Sequence, residues 1–237
     1  MLEASCKAGI MITVVVFDLD DTLYDEIDYC RSGFSAVAEY LAALPGSVPP
    51  DRIFAELWGQ FSAGNRTRTF NVALDELAIS FDDRLVKQLV DVYRTHKPRI
   101  TLPDKSRNVL DELKTRYKLA LLTDGFLPAQ QLKVRALEIE GYFASIVYTE
   151  QFGRQCWKPS PVGFEKIMRD LGTEPENMVY IADNEKKDFI APNNLGFSTV
   201  RLIRPTGMHT EVSDEPGARA QHKTHQIEQI PALIEQL

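Results

Sequence analysis

Short β-branched and aliphatic runs recur at wide intervals along the chain: Ile12–Phe17, Lys118–Leu122, Ser145–Tyr148, Met178–Ala182 and Ser198–Leu202. Between the later runs lie stretches with helical spacing. Val109, Leu110 and Leu113 share one face, as do Leu132, Ala136 and Ile139, and then Phe164, Ile167, Met168 and Leu171. Nearly continuous apolar strands alternating with amphipathic helices predict βαβ units and a parallel sheet covered on both faces. The expected fold is α/β with a Rossmann-like parallel sheet.

The first interval breaks that rhythm. After Phe17, roughly eighty residues pass without a convincing strand, and the pattern predicts helices over about 27–43, 51–61, 67–79 and 82–97. Leu85, Leu89, Val92 and Tyr93 form the apolar stripe of the last one. Leu44–Pro50, with three prolines and a glycine, separates the first two helices, and His96–Pro103 reads as a return hinge. Residues 24–100 are therefore expected to be a helical-bundle insertion, or cap, between two pieces of one core, 11–23 and 101–237. Such an insertion would lie over the carboxyl ends of the strands, where open α/β sheets bind ligands. Pro205–Gln226 is polar and irregular and reads as a surface loop before a last helix at about 227–236. Its His209, His222 and His225 lack a carboxylate or thiol framework and are expected to be solvated.

The strongest chemical signal is Val14 to Tyr24, where Asp18, Asp20 and Asp21 follow directly on an apolar strand. Adjacent anions at the end of a buried strand repel one another and lose hydration, and a divalent cation with a taste for oxygen ligands, Mg²⁺, relieves both costs. Alternate residues of an extended segment share a face, so Asp18 and Asp20 can converge on one centre. Asp183 ends another apolar strand, and a parallel sheet brings such ends to one edge. Asp188 follows five residues later, either as a further ligand or as a helix-terminal anion. Thr123, Asp124 and Gly125 end the second strand with a hydroxyl and a flexible backbone able to present the Thr123 Oγ and the Asp124 amide to a phosphate. Lys158, bracketed by Trp157 and Pro159, stands between the third strand and its helix.

Charge and composition narrow the partners. Of 237 residues, 27 are Lys or Arg against 34 Asp or Glu, a formal charge of −7. An acidic balance argues against nucleic acid and anionic membrane as partners, yet leaves room for a small phosphorylated ligand held by a few local cations. No apolar run approaches the ~20 residues of a membrane span. Cys6, Cys30 and Cys156 are odd in number and fit no ligand pattern, and Met1–Met11 lacks the apolar core of a signal peptide, so a reducing cytoplasm is the expected compartment. Oligomeric state carries no signal in the sequence.

Taken in order, Asp18-x-Asp20-x-Thr22, Thr123 after a strand, Lys158, and Asp183 with Asp188 resemble the haloacid dehalogenase (HAD) superfamily. The match runs from Val14 to about Leu202, and the insertion resembles the helical cap of its subfamily I. Only 34 residues separate Thr123 from Lys158, too few for the larger cap that some members carry there. The resemblance implies a phosphatase in which Asp18 attacks phosphorus and Asp20 acts as general acid and then base. It further implies that Lys158 and Thr123 hold the transferring group. Mg²⁺ would be bound by Asp18, Asp183 and Asp20 (through its carbonyl), with Asp188 supporting the metal or orienting Lys158. Two positions depart from the family pattern: Ala182 where glycine is frequent, and Asp124 where asparagine is common. The second adds a negative charge beside a phosphate site.

Three other readings stay in view. A dehalogenase would lack the acid–base Asp20 and need no metal, so the sequence disfavours it. A phosphomutase shares the aspartyl-phosphate chemistry. A non-catalytic phospho-ligand-binding protein would be expected to have lost a charged motif residue. The substrate default is a sugar phosphate or nucleoside monophosphate. In the insertion, Arg66 and Arg68, near Phe70, are candidate substrate contacts or else merely a solvated helix start, and Arg31 is a weaker candidate.

Overall fold

A computed structural model describes residues 11–46, 48–205, 207–208 and 211–237. Cys6, the first ten residues as a whole and His209 lie outside the described residues. The described part divides into two compact units.

The first unit comprises the chain up to Asp25, Leu102–Gly125 and Glu138–Leu237. Its sheet contains β1 (Val14–Phe17), β2 (Lys118–Thr123), β3 (Ser145–Tyr148), β4 (Met178–Ala182), β5 (Ser198–Leu202) and β6 (His222–Thr224) in the order β3-β2-β1-β4-β5-β6. All five pairings are parallel. The chain builds outward from β1 to β3, then returns to the other side of β1 to place β4. That reversal leaves β1 and β4 as neighbours, with Phe17 level with Ile181, so that the residues following both strands emerge side by side. Around the sheet run α5 (Asp104–Leu113), α7 (Val162–Leu171), α8 (Ile190–Leu195) and the short α9 (Ile230–Ile234). One core cluster joins Val14 and Val16 of β1 to Ala120, Leu122, Tyr180 and Ala182 of the flanking strands, and to Phe164 and Ile167 of α7. Each large apolar side chain so buried contributes about 1.5–3 kcal/mol.

The second unit, Glu26–Thr101 with Phe126–Leu137, holds α1 (Glu26–Ala42), α2 (Pro50–Ser62), α3 (Thr69–Glu76), α4 (Asp83–Thr95) and α6 (Ala129–Ala136). Phe34 of α1 centres its aromatic core, with ring centroids 5.3 Å from Phe61 and Tyr93 and 6.2 Å from Phe70. A β-carbon on Gly33 would fall 2.5 Å from the Tyr93 ring, so α1 and α4 approach too closely for any side chain there. Among the described residues no helix is long and apolar enough to cross a membrane.

Several expectations are corrected. Pro205–Gln226 is not all loop: His222–Thr224 forms the edge strand β6, and Ala218 is fully buried. An edge strand needs no apolar run, and of β6 only Thr224 is buried, which hid it from a hydrophobic pattern. Helix α6 buries Ala129, Gln130, Lys133 and Val134, while Leu132 and Ala136 of the expected face are only half-buried and Ile139, fully buried, lies beyond the helix; α6 packs with α4 in the helical unit, where the Lys133 ammonium lies 4.2 Å from the Tyr29 ring centre. Helix α3 stops at Glu76, not 79. Ala78 takes a left-handed φ of 54°, and the Ile79 N–H bonds back to the Leu74 carbonyl. This closing turn normally announces itself with glycine, and here alanine occupies it. The last helix is split into a 3-10 turn at Ile227–Gln229 and α9, whose Pro231 sits in its first turn.

Candidate active site

The carboxyl ends of β1 and β4 set the geometry. The Asp18 N–H donates to the Ile181 carbonyl at 2.9 Å, extending the β1–β4 ladder one residue past β1 and fixing Asp18 beside the strand that ends at Ala182. Asp183 follows immediately. From the loop between β3 and α7, Lys158 enters with its side chain entirely buried. Its Nζ donates to Asp18 Oδ1 at 2.7 Å and to the Tyr180 hydroxyl at 3.0 Å, and stands 2.7 Å from Asp188 Oδ1. The other Asp188 oxygen accepts the Asn184 N–H at 2.9 Å. Both oxygens of Asp188 are thus engaged inside the cluster, and the helix-terminal role does not describe it: α8 begins two residues later.

Burial and charge act unequally on these groups. Burial opposes the charge of Lys158, but Asp18 and Asp188 overcome it and hold its pKa well above the ordinary value. Burial also works against ionised Asp188, yet Lys158 and then Lys187 keep its pKa below the usual carboxylate value. For Asp18 burial prevails over Lys158 and lifts the pKa to about 6. Asp183 has no lysine in contact among the described residues, and burial together with Asp188 and Asp18 pushes it up to about 9.

Asp183 Oδ2 is buried and has no hydrogen-bond partner among the described residues. One oxygen each from Asp18, Asp183 and Asp188 lies within 4.8 Å of the others. A buried, all-oxygen, negatively charged cluster with an orphaned lone pair is what a hard divalent cation satisfies, so these residues fit Mg²⁺. The Asp20 carboxylate is outside this group: its Oδ1 accepts from the Tyr24 hydroxyl at 2.5 Å. Asp20 forms an isolated parallel bridge with Tyr24, and the chain turns directly after it, through Asp21 with φ of 51°. Asp21 is structural, its Oδ2 accepting the Met208 N–H at 2.7 Å.

Thr123 is buried at the end of β2, and Asp124 follows with a carboxylate already in use. Its Oδ1 accepts from Thr149 Oγ1 at 2.7 Å and from the Lys158 N–H at 3.2 Å, and its Oδ2 is 3.6 Å from the Lys187 ammonium. The negative charge that departs from the family pattern is thus tied to two loops of the site. Sequence reasoning missed Tyr180, Thr149, Lys187 and Arg201. Tyr180 was legible as the one hydroxyl-bearing side chain in the strand before Asp183. Arg201, buried on β5, donates from Nε to the Asp183 carbonyl at 2.9 Å and pairs with Glu185 at 2.9 Å, fixing the loop after β4. Nothing in the local sequence marks it.

Within the helical unit, Arg66 and Arg68 occupy the exposed turn between α2 and α3. The Arg66 guanidinium lies 4.3 Å from the centre of the Phe61 ring, and Phe70 packs in the Phe34 cluster. Arg31 pairs with Asp28 and lies 5.0 Å from the Trp58 ring centre.

Comparison with known proteins places this geometry. A glyceraldehyde 3-phosphate phosphatase of Methanopyrus kandleri is 30% identical over 202 residues, covering 82% of this chain and 85% of that protein. An N-acylneuraminate-9-phosphatase of Rattus norvegicus is 25% identical over 241 residues, 95% of each chain. A solved structure described as a putative beta-phosphoglucomutase from Thermotoga maritima matches the fold with a TM-score of 0.68 at 20% identity, covering 95% of this chain and all of that one. The family profile of the haloacid dehalogenase-like hydrolases matches residues 12–196, the span that contains every motif residue of the carboxylate cluster, and the chain belongs to that family.

Proposed function

We propose that this chain is a Mg²⁺-dependent phosphomonoester hydrolase that works through an aspartyl phosphate on Asp18. The observation that carries the proposal is the convergence of Asp18, Asp183 and Asp188, two of which, Asp18 and Asp188, pair with one fully buried lysine. Asp18 presents a carboxylate oxygen to phosphorus as nucleophile, while Lys158 holds that carboxylate and offsets its charge. Asp20, oriented by Tyr24, gives a proton to the departing alkoxide and later takes one from the water that cleaves the acyl phosphate. Thr123 and the Asp124 amide offer donors to the phosphoryl oxygens. Asp18, Asp183 and the Asp20 carbonyl, supported by Asp188, would hold the Mg²⁺, which supplies positive charge against the repulsion between nucleophile and phosphate.

Two relatives are named as phosphatases of a triose phosphate and of an acylneuraminate phosphate, which favours a sugar phosphate over a nucleoside monophosphate as substrate. In the same proposal substrate choice belongs to the helical insertion, residues 24–100, with Arg66 and Arg68 as contacts, and the protein resides in the cytoplasm. The test is phosphate release from a panel of phosphorylated metabolites. EDTA should abolish turnover and Mg²⁺ restore it. Full activity in metal-free buffer contradicts the proposal, as does halide release from 2-chloroacids; a positional isomer in place of free phosphate would mark a mutase.

A further inference from the structure

The Lys158 ammonium has no hydrogen left to give, since Asp18, Asp188 and Tyr180 take all three positions. A phosphoryl group arriving at Asp18 meets a cation whose donors are already spent. Lys187, on the loop after β4, differs in each respect. Its side chain is 34% exposed, against 5% for the Asp124 side chain beside it. The Asp124 Oδ2 with which it pairs lies at 3.6 Å, beyond hydrogen-bond reach, and among the described residues no acceptor takes a hydrogen bond from it. Its charge is nevertheless felt by Asp18, Asp183 and Asp188.

Asp124 explains why the ammonium stands there. Its Oδ1 is fixed by Thr149 and by the Lys158 backbone, leaving Oδ2 turned to Lys187. One carboxylate thus joins the loop that carries Lys158 to the loop that carries Lys187. Charge balance gives the arrangement a purpose. Four carboxylates, Asp18, Asp124, Asp183 and Asp188, face two lysines; one divalent cation brings the group to neutrality. Without Lys187 the same group would be net negative and would repel a phosphate dianion.

We propose that Lys187 is a second phosphoryl-binding cation of this site, donating to the substrate's phosphoryl oxygens, and that Asp124 is its positioning residue. The proposal rests on the phosphomonoesterase reading above and adds to it a specific residue outside the expected motif set.

The test measures binding of inorganic phosphate and of Mg²⁺ separately by calorimetry, alongside KM and kcat, in wild type and variants. Lys187→Met should weaken phosphate binding and raise KM by about 10- to 100-fold, the loss of a charge-assisted hydrogen bond. Mg²⁺ affinity should hold or rise, because a cation near the metal ligands has gone. Lys187→Arg should recover more than half of the loss. Asp124→Asn in the Lys187→Met background should recover part of it, by removing a carboxylate left uncompensated. The inference is overturned if Lys187→Met binds phosphate as wild type does. It is equally overturned if Mg²⁺ and phosphate affinity fall together, which is the mark of a collapsed loop. Wild-type protein that binds no phosphate and releases none overturns the phosphomonoesterase reading along with it.

Discussion

Replacing Lys158 by methionine isolates the electrostatics on which the site depends. The substitution keeps most of the side-chain volume and deletes a cation whose side chain is 0% exposed and lies 2.7 Å from two carboxylates, themselves 5% and 0% exposed. Removing one partner from a buried ion cluster costs about 3–5 kcal/mol, because the charges left behind have lost both water and partner. An exposed pair such as Lys114–Asp111, 47% and 48% exposed, is screened by solvent and adds little to stability, so Lys114→Met is the control. In metal-free buffer at pH 7.5, with a urea slope of about 2 kcal/mol/M, Lys158→Met should lower the urea midpoint by about 1.5–2.5 M. The loss must also depend on pH, with a definite sign. Asp18 already has a folded pKa of about 6 with Lys158 in place, raised from 3.8. Without the lysine it rises further, so the folded variant takes up a proton that the unfolded chain does not, and its stability recovers as pH falls towards 5. Far-UV circular dichroism in urea at pH 7.5 and 5.0 provides both numbers. A loss below about 1 kcal/mol at pH 7.5, or one of equal size at both pH values, would refute the reasoning.

Asp18→Asn should abolish covalent phosphorylation, and Asp20→Asn should slow both half-reactions by roughly 10²–10⁴-fold; near-wild-type turnover in either variant overturns the assignment. Arg66→Ala combined with Arg68→Ala should raise KM for a doubly anionic substrate and spare p-nitrophenyl phosphate. An equal effect on both substrates, or on neither, would make these arginines surface groups only. His96 bonds through Nδ1 to the Tyr93 carbonyl at 2.7 Å and through Nε2 to Ser32 Oγ at 2.9 Å, and burial lowers its pKa below 6.5. A lowered histidine pKa means stability present above pH 6.5 and lost as pH falls below it. The thermal stability gap between wild type and His96→Asn should therefore narrow from pH 7.5 to pH 5.5, and a constant gap would falsify the assignment.

What the sequence revealed and what it hid follow from the same physics. Strands that pack into the core are rich in aliphatic and β-branched residues, so β3, β4 and β5 were legible to the residue even though β3 and β5 also carry polar side chains. The polar edge strand β6 carried no such requirement. Helix α6 was misread because its buried face includes Gln130 and Lys133, polar residues that a hydrophobic count rejects. Asp18, Lys158, Asp183 and Asp188 were legible because each carries charge directly beyond an apolar strand or within a constrained loop. Asp20 was legible as a motif residue, but its hydrogen bond from Tyr24 depends on the turn through Asp21 that brings Tyr24 back to it, which alternation does not encode. Lys187 and Arg201 are held by partners distant in the chain, Asp124 for one and the Asp183 carbonyl with Glu185 for the other, and spacing alone contains neither relation.

The nucleophilic role of Asp18 is tested most directly by trapping the acyl phosphate. Protein turning over a substrate with Mg²⁺ is quenched in acid, and the trapped enzyme is reduced with borohydride, which converts an aspartyl phosphate to homoserine. Peptide mass spectrometry then reads the position. Substrate- and Mg²⁺-dependent homoserine at position 18 is the predicted result, with none at 20, 183 or 188. Label at another carboxylate, or sustained phosphate release with position 18 unmodified in both wild type and the slowed Asp20→Asn variant, would contradict it.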